Sequence, residues 1–445
     1  MWNRHGHSAS FSLPKERKRK QNNRKNRRDM GKVCSKKFIP IAKTKGSKTI
    51  RIYLCTWNVG TKPPPDDLAS LLALDTDLRP DIYVIGLQEV STSDLSATDN
   101  PWTIKLTSTF KDVRLSGMLE LGFCRQNIFT SINGIESEKT KTGFGGWWGN
   151  KGGVCIRFDV NGINMCIVNS HLAAHRDQTP ERIMDLNSIL EDQKFRDDDV
   201  NNILDHDYVL WLGDLNFRLD DLPREEVLTR IKEKDYSYLL HYDQLNKTRS
   251  QGLAFVDFKE GPITFPPTYK FDVETEVYDT SEKQRVPAWC DRILWLAHDD
   301  SYEGVHLDVK QLHYKHHPSY KTSDHRPVTS LFEVKILSFA SNTLPVLFHQ
   351  QNKWSKGDVV VQFVINRYQP TTWDWVGLYK EDFTNINNYE DFEYVVPHSK
   401  GSEEPLKVTF LLSKFRHLRG KHILLYIGTY KNTMLGLSNV FLINH

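Results

Sequence analysis

The sequence predicts two folds in tandem, an α+β domain arranged as a two-sheet sandwich over residues 49–336 and a small β-sandwich over residues 343–445. Three observations predict it. A chain of 445 residues is too long for one ordinary core. Its first three hundred residues alternate short apolar strand-like runs with amphipathic helical stretches. After Leu337 to Asn342 (LSFASN), which reads as a linker, only short alternating segments between turns remain.

Taken in order, residues 1–48 contain KERKRKQNNRKNRR and few large apolar side chains, so they are predicted to be a disordered basic leader. Order is expected to begin at Thr49, with the alternating run TIRIYL entering TWNVG, and to continue in a second buried strand, Asp81 to Leu87, ending at Gln88-Glu89. Val154 to Asn169 reads as a hairpin turning at Asn161-Gly162. Thr179-Pro180 opens a helix whose Ile183, Leu186, Ile189 and Leu190 share a face. Strands fit 207–212, 290–296 and 328–336, and helical patches fit 64–74 and 223–234. In the last hundred residues Val359 to Val364 and Ile423 to Ile427 have strand character.

Composition narrows the classes. Hydrophobic content of 39% is globular, and no apolar run approaches the roughly 20 residues of a membrane span. The amino terminus lacks the apolar stretch of a signal peptide. Six cysteines at 34, 55, 124, 155, 166 and 290 form no CxxC pair, so they read as small buried residues of a reduced, cytosolic compartment. The net charge of +3 conceals an asymmetry: residues 1–50 hold sixteen Lys and Arg against two acidic residues, leaving the remainder at −11.

Polar residues recur just past the apolar runs: Asn58, Glu89, His171, Asp214 with Asn216, Asp291, and Asp324-His325. Any one of them is ordinarily a cap or a solvated residue. Six such placements in one domain, without a set of zinc ligands, point to one shared site. The residue types suit metal-assisted hydrolysis of a phosphate ester. Mg²⁺ takes few protein oxygens and keeps waters, so Glu89 assisted by Asn58 is an adequate anchor. Asp214 can accept the proton of an attacking water, with Asn216 holding that water or a phosphate oxygen. His171 and His325 can donate to phosphate oxygens, and a buried Asp291 would keep His325 oriented and protonated.

The motifs carrying these residues are Trp211-Leu-Gly-Asp-Leu-Asn-Phe-Arg218 and Arg285-Val-Pro-Ala-Trp-Cys-Asp-Arg-Ile-Leu294, together with TWNVG, LQEV, GNKGGV, NSHLAAH and SDHRPV in that order. Through them, from residue 52 to about 335, the chain resembles the inositol polyphosphate 5-phosphatases, a branch of the DNase I-like superfamily. The resemblance implies a four-layer αββα sandwich, Mg²⁺ as cofactor, the roles above, and a place near the metal for Asp324. It implies removal of the 5-phosphate from the 4,5-bisphosphate and 3,4,5-trisphosphate lipids, with soluble inositol polyphosphates as further substrates. Tyr269, Lys270, Lys283 and Arg285 form a plausible clamp for a second phosphate, which the resemblance assigns to the 4-phosphate. Lys151 is a weaker candidate for phosphate contact. No Cys or Ser in a phosphate loop offers itself as nucleophile, so direct attack by water is expected. The rival readings are a nuclease on the same scaffold, favoured by the basic leader but opposed by the clamp, and a phosphoinositide-binding adaptor with a weak site.

Three peripheral features complete the reading. Phe144, Trp147 and Trp148 lie in a glycine-rich loop before GNKGG, and are candidates for membrane contact beside the site. Trp373-Asp-Trp-Val-Gly-Leu-Tyr-Lys380 resembles the SKICH domain, an immunoglobulin-like sandwich. That implies a protein partner and peripheral recruitment of a cytoplasmic monomer to plasma-membrane ruffles, with the endoplasmic reticulum surface as another destination. Met30-Gly-Lys-Val-Cys-Ser35 fits a lipidation pattern on Gly31 and Cys34 if translation starts at Met30. No nucleic-acid partner is expected.

Overall fold

Alternation along the strands decides how this chain is layered. The computed structural model describes residues 44–91, 99–112, 115–119, 122–125, 128, 131–143, 148–196, 200–299, 301, 306–339, 345–355, 357–365, 369–381, 383, 389–396, 405–428 and 433–444. The first body contains, in chain order, β1 (Thr44–Asn58), β2 (Ile82–Gln88), α1 (Pro101–Asp112), β3 (Leu115–Leu119), β4 (Gly122–Arg125), β5 (Ile132–Gly143), β6 (Trp148–Val160), β7 (Ile163–His171), α2 (Thr179–Asp192), β8 (Tyr208–Asp214), α3 (Arg224–Lys232), α4 (Tyr236–Leu240), α5 (Gln244–Ser250), β9 (Asp291–Ala297), β10 (Val309–His316) and β11 (Val328–Phe339). They form a six-stranded sheet ordered β10-β11-β1-β2-β4-β3 and a five-stranded sheet ordered β5-β6-β7-β8-β9.

Each central strand sends alternate residues to opposite faces, and the buried clusters follow that parity. Ile52, Leu54, Ile82 and Val84 of the first sheet meet Ile167, Leu210, Leu212 and Ile293 of the second in one cluster between the sheets. The intervening residues Tyr53, Cys55, Trp57, Tyr83 and Ile85 face outward and are covered by Trp102, Leu106 and Phe110 of α1. On the other outer face, Cys166, Val168, Val209, Trp211 and Leu294 are covered by Leu186 and Ile189 of α2. Three apolar clusters between four layers make the expected αββα, DNase I-like sandwich.

The C-terminal part contains β12 (Val346–Phe348), β13 (Val359–Ile365), β14 (Trp375–Lys380), β15 (Asp391–Tyr394), β16 (Leu406–Phe410), α6 (Leu412–Phe415), β17 (Gly420–Gly428), β18 (Thr433–Leu437) and β19 (Phe441–Ile443). Its strands run β15-β14-β17-β18-β12-β13-β16, with β19 on β17. The sheet folds over so that Val376, Leu378, Leu424 and Tyr426 share a core with Val361, Phe363, Val408 and Phe410, consistent with a β-sandwich.

Three sequence expectations change. β1 begins at Thr44 rather than Thr49, because Thr44 to Ser47 pair with Phe339 to Leu337 at the end of β11. The same pairing removes the start of the expected linker: Leu337 is buried and belongs to β11. Residues 64–74 form turns and not a helix. Ala73 has φ +53°, which no helix continues through, yet Leu68, Leu71 and Leu72 still pack under α1. The leader through residue 43, with Gly31 and Cys34, lies outside the described residues. The five cysteines from Cys55 to Cys290 are buried and free. Among the described residues no helix is long and apolar enough to cross a membrane.

Candidate active site

The site is the polar end of the inter-sheet core. In the five-stranded sheet, register places His171 opposite Asp214 and Asp214 opposite Asp291. These three share parity with Ile167, Leu212 and Ile293, so their side chains continue the stripe that faces the other sheet. In that sheet Asn58 lies opposite Gln88 and follows Ile52 and Leu54 in the same parity. The two rows meet where Asn58 Nδ2 donates to Asp214 Oδ2 at 3.0 Å and to Glu89 Oε1 at 3.2 Å.

Below this junction a polar layer separates the site from the hydrocarbon core. Gln88 Nε2 donates to Asn169 Oδ1 at 2.7 Å and to Thr56 Oγ1 at 3.1 Å, and Asn169 Nδ2 donates to Leu87 O at 3.2 Å. Gly86 leaves room for that amide, since a Cβ there would lie 2.6 Å from Asn169 Oδ1. Glu89 and Asn216 both occupy the left-handed region, at φ +54° and +57°. Asn adopts it readily, whereas Glu stores strain there, as functional turns often do.

Asp214 is the electrostatic centre. Its Oδ2 lies 3.2 Å from His171 Nε2 and 3.8 Å from His325 Nε2, and its Oδ1 accepts from Asn216 N at 3.1 Å. Burial pushes its carboxyl up, but His325 and His171 together pull it well below the usual range, so it stays ionised. His325 Nδ1 sits 3.0 and 3.1 Å from the two oxygens of Asp291, which also accepts Thr268 Oγ1 at 2.6 Å. Burial alone would lower His325, yet Asp291 and Asp214 raise it to about 9. His171 Nε2 also contacts Lys151 Nζ and lies 3.8 Å from Glu89 Oε1. Burial lowers Lys151 against the opposing pull of Asp214 and Glu89.

Asp214, Asp291 and His325 are close enough together to suggest a metal cluster. The hydrogen bonds oppose that: Asp291 is engaged by Thr268 and by a protonated His325, which has no lone pair left to give. A hard divalent ion fits Glu89 better, with Asn58 joining it only when its amide turns, because Asn58 presents Nδ2 to Glu89 while its Oδ1 accepts Gly60 N at 3.0 Å. The Glu89 side chain is 45% exposed, which leaves space for water ligands, and amide and carboxylate oxygens are the donors such an ion prefers.

Of the clamp residues, Tyr269 and Lys270 come to the same end of the sandwich. Tyr269 bridges both His325 and Ala288, so the segment 268–271 is stitched between the two signature regions. Its ring is only 8% exposed and lies between the His325 imidazole, 4.4 Å away, and the Arg218 guanidinium, 4.3 Å from its centre. Tyr269 thus forms the wall behind His325. Lys270 Nζ donates to Asp324 Oδ2 at 2.6 Å. Arg285 is half-buried, its N–H bound to Asp279 Oδ2 at 2.9 Å, and Lys283 is exposed on the turn before it. Phe144 and Trp147 lie outside the described residues, as does the side chain of Trp148.

Several positioning residues escaped the sequence reading. Arg218 donates to Asn216 O at 3.1 Å and also holds the Asn216 amide oxygen, which leaves Asn216 Nδ2 to reach Leu172 O at 3.1 Å. Gln244 joins two motif loops: its Oε1 accepts Arg182 Nη2 at 2.7 Å and Arg218 N at 2.9 Å, and its Nε2 donates to Arg176 O at 2.8 Å. Arg292, fully buried beside Asp291, is bound by both oxygens of Asp243 at 3.0 Å and by Glu260 at 2.7 Å. A position inside the Asp214 motif could have pointed to Arg218. Nothing local marks Gln244, whose partners lie 26 and 62 residues away.

Residues 55–331 match the family model described as Endonuclease/Exonuclease/phosphatase family 2, and residues 346–443 match the SKICH domain. The chain is 34% identical over 423 residues to inositol polyphosphate 5-phosphatase K of Mus musculus, covering 88% of this chain and 89% of that one. It is 34% identical over 429 residues to phosphatidylinositol 4,5-bisphosphate 5-phosphatase A of Rattus norvegicus, covering 90% of this chain and 42% of that relative. It therefore spans less than half the length of the rat protein and of its mouse counterpart. Among solved structures it is similar to the inositol polyphosphate 5-phosphatase domain of SPsynaptojanin, determined with inositol (1,4)-bisphosphate and a calcium ion. That match has 33% identity and a TM-score of 0.58, over 72% of this chain and 91% of that one. Cimex nitrophorin, at 22% identity and a TM-score of 0.52 over 65% of this chain and 99% of that one, shares the fold alone.

Proposed function

Because the chain belongs to the endonuclease/exonuclease/phosphatase family 2 and carries a SKICH domain after it, we propose that it hydrolyses the 5-phosphate of phosphoinositides and inositol polyphosphates. The observation that carries the reading is the ionised Asp214, held by Asn58, His171 and Asn216 and facing the His325–Asp291 pair from 3.8 Å. Asp214 orients the attacking water and takes its proton as the bond to phosphorus forms. His325, kept protonated by Asp291, donates to the phosphoryl or leaving oxygen, and His171 with Lys151 adds donors on the opposite side. Asn216 fixes the position of the transferred group. Asn58 and Glu89 would hold Mg²⁺, which when bound neutralises and polarises the phosphoryl oxygen. Lys270, Arg285 and the exposed Lys283 line the edge that receives the neighbouring 4-phosphate.

On this reading the 4,5-bisphosphate lipid is hydrolysed faster than the 5-monophosphate lipid, and Asp214→Ala abolishes release from both. Phosphate release measured from vesicles of each lipid tests it. Activity surviving in Asp214→Ala would reject the mechanism, and nicking of plasmid DNA would favour a nuclease instead. The 3,4,5-trisphosphate lipid as a further substrate, the monomeric state, and recruitment to ruffles or the endoplasmic reticulum surface through a SKICH partner are parts of the same proposal. Leu347, Val360 and Val364, exposed on β12 and β13, support the existence of a partner-binding face. Abolition of ruffle localisation by Val360→Asp, with activity retained, is the expected result.

A further inference from the structure

The basic edge of the site is not idle. Lys270 and Asp324 are paired at 2.6 Å with their side chains 29% and 24% exposed. Their backbones are held side by side: Phe271 N donates to Asp324 O at 2.9 Å, Arg326 N donates to Thr268 O at 2.9 Å, and Tyr269 bridges His325. Arg326 reinforces this zipper by donating to Ser323 O at 2.9 Å and stacking 4.0 Å over the Phe271 ring. The pair therefore cannot separate by drift of either segment. Its partners separate only by rotation of their side chains.

Asp324 also borders the metal-anchoring turn. Its Oδ1 accepts the Ser323 hydroxyl at 3.3 Å, Ser323 Oγ binds Asn58 O at 2.7 Å, and a Cβ on Gly60 would stand 3.5 Å from that same oxygen. A carboxylate so placed is a negative charge between Lys270 and the Asn58–Gly60 turn.

We propose that Asp324 is a specificity-determining counter-ion: it occupies Lys270 in the empty site, and the ring phosphate next to the scissile one displaces it. This rests on the reading that Lys270 faces that 4-phosphate. A phosphate dianion offers Lys270 more charge than the carboxylate does, but must approach the carboxylate to reach it. Asp324 thus weakens every anion at this position. An inositol ring lacking the phosphate leaves the ion pair closed.

The test is calorimetric binding to the full chain, using inositol 1,4-bisphosphate, which carries the 4-phosphate without the reacting 5-phosphate, and inositol 1-phosphate as control. Asp324→Asn is expected to tighten the bisphosphate by roughly twofold to fivefold, the range a partly exposed ion pair supports, with the monophosphate unchanged. Asp324→Glu, which retains the charge, gives no gain. In a Lys270→Met background the gain from Asp324→Asn is smaller, because only the carboxylate's repulsion of the phosphate is left to relieve, and the monophosphate is again unchanged. Unchanged or weaker bisphosphate binding by Asp324→Asn, with Lys270→Met still reducing the preference for it, overturns the counter-ion role and leaves the clamp standing. A preference unaltered by Lys270→Met overturns both.

Discussion

His325 is buried among carboxylates, and that decides its proton. Its folded value of about 9 stands above the ordinary 6.5 because Asp291 and Asp214 outweigh the burial that lowers it. This upward shift of His325 contributes stability that is fully present below about 6.5 and is lost as pH rises through about 9. On the proposed mechanism the same proton is the one donated to the substrate. The high-pH limb of kcat/KM is expected near 9 in the wild type and should move toward acid in Asp291→Asn, where burial persists but its main opposing charge is gone. A limb that stays in place would mean that His325 is not the titrating donor. The residue types at this site were legible because each sits near one end of an apolar strand run: Asn58, His171 and Asp214 close β1, β7 and β8, Glu89 follows β2, Asp291 opens β9, and Asp324-His325 precede β11. Their contacts were not. Gln88, Asn169, Thr268 and Gln244 act through partners distant in sequence, and polar residues of that kind look like ordinary loop or strand residues until the chain folds.

The elements show where periodicity informs and where it misleads. β8 and β9 were plain because both are apolar and buried on both faces, although β9 closes the edge of its sheet. β10 was missed: it lies at the edge of its sheet, and its residues Val309–His313 alternate between half-buried and exposed before the buried Tyr314, so lysines and histidines interrupt the apolar signal. The turns at 64–74 mimic a helix because Leu68, Leu71 and Leu72 recur at helical spacing, although they need only reach one side of the sheet. At Gly213, within β8, the backbone has φ +148° and a Cβ would meet Ser170 O at 2.0 Å. That close approach of β7 and β8 sets the His171–Asp214 register. Gly213→Ala is thus expected to cost about 3 kcal/mol or more through clash and strain together. Chemical denaturation checks it; a loss under about 1 kcal/mol would mean the strands can part without consequence.

At the scale of the molecule, the C-terminal sandwich is joined to the catalytic body by more than the chain between them. The cluster between the two large sheets extends into Tyr379, Ile423, Leu425, Ile427 and Met434, with Ile135, Trp375 and Leu437 packed against it. These residues alternate with those that fill the sandwich's own core, so one face of its sheet is apolar for the partner domain. β18 lies against β5, where a bulge between Asn133 and Glu136 interrupts the pairing with β6. Unfolding should accordingly be cooperative between the two parts. Met434→Asp, which places a charge in the shared cluster, is expected to split one calorimetric transition into two. A single transition at a slightly lower temperature would indicate a softer interface than the burial implies.

What the sequence by itself determined was the order of strands, their parity and the chemistry waiting at their ends, because burial of alternate apolar residues is a local pattern and strand ends are where polar residues can follow it. Tertiary structure decided which of those ends meet. Register aligned His171, Asp214 and Asp291 across three strands. Packing of one sheet on the other brought Asn58 to Asp214, turned Tyr269 into a wall and gave Lys270 a carboxylate partner. Such choices depend on distances between segments far apart in the chain, which no local pattern encodes.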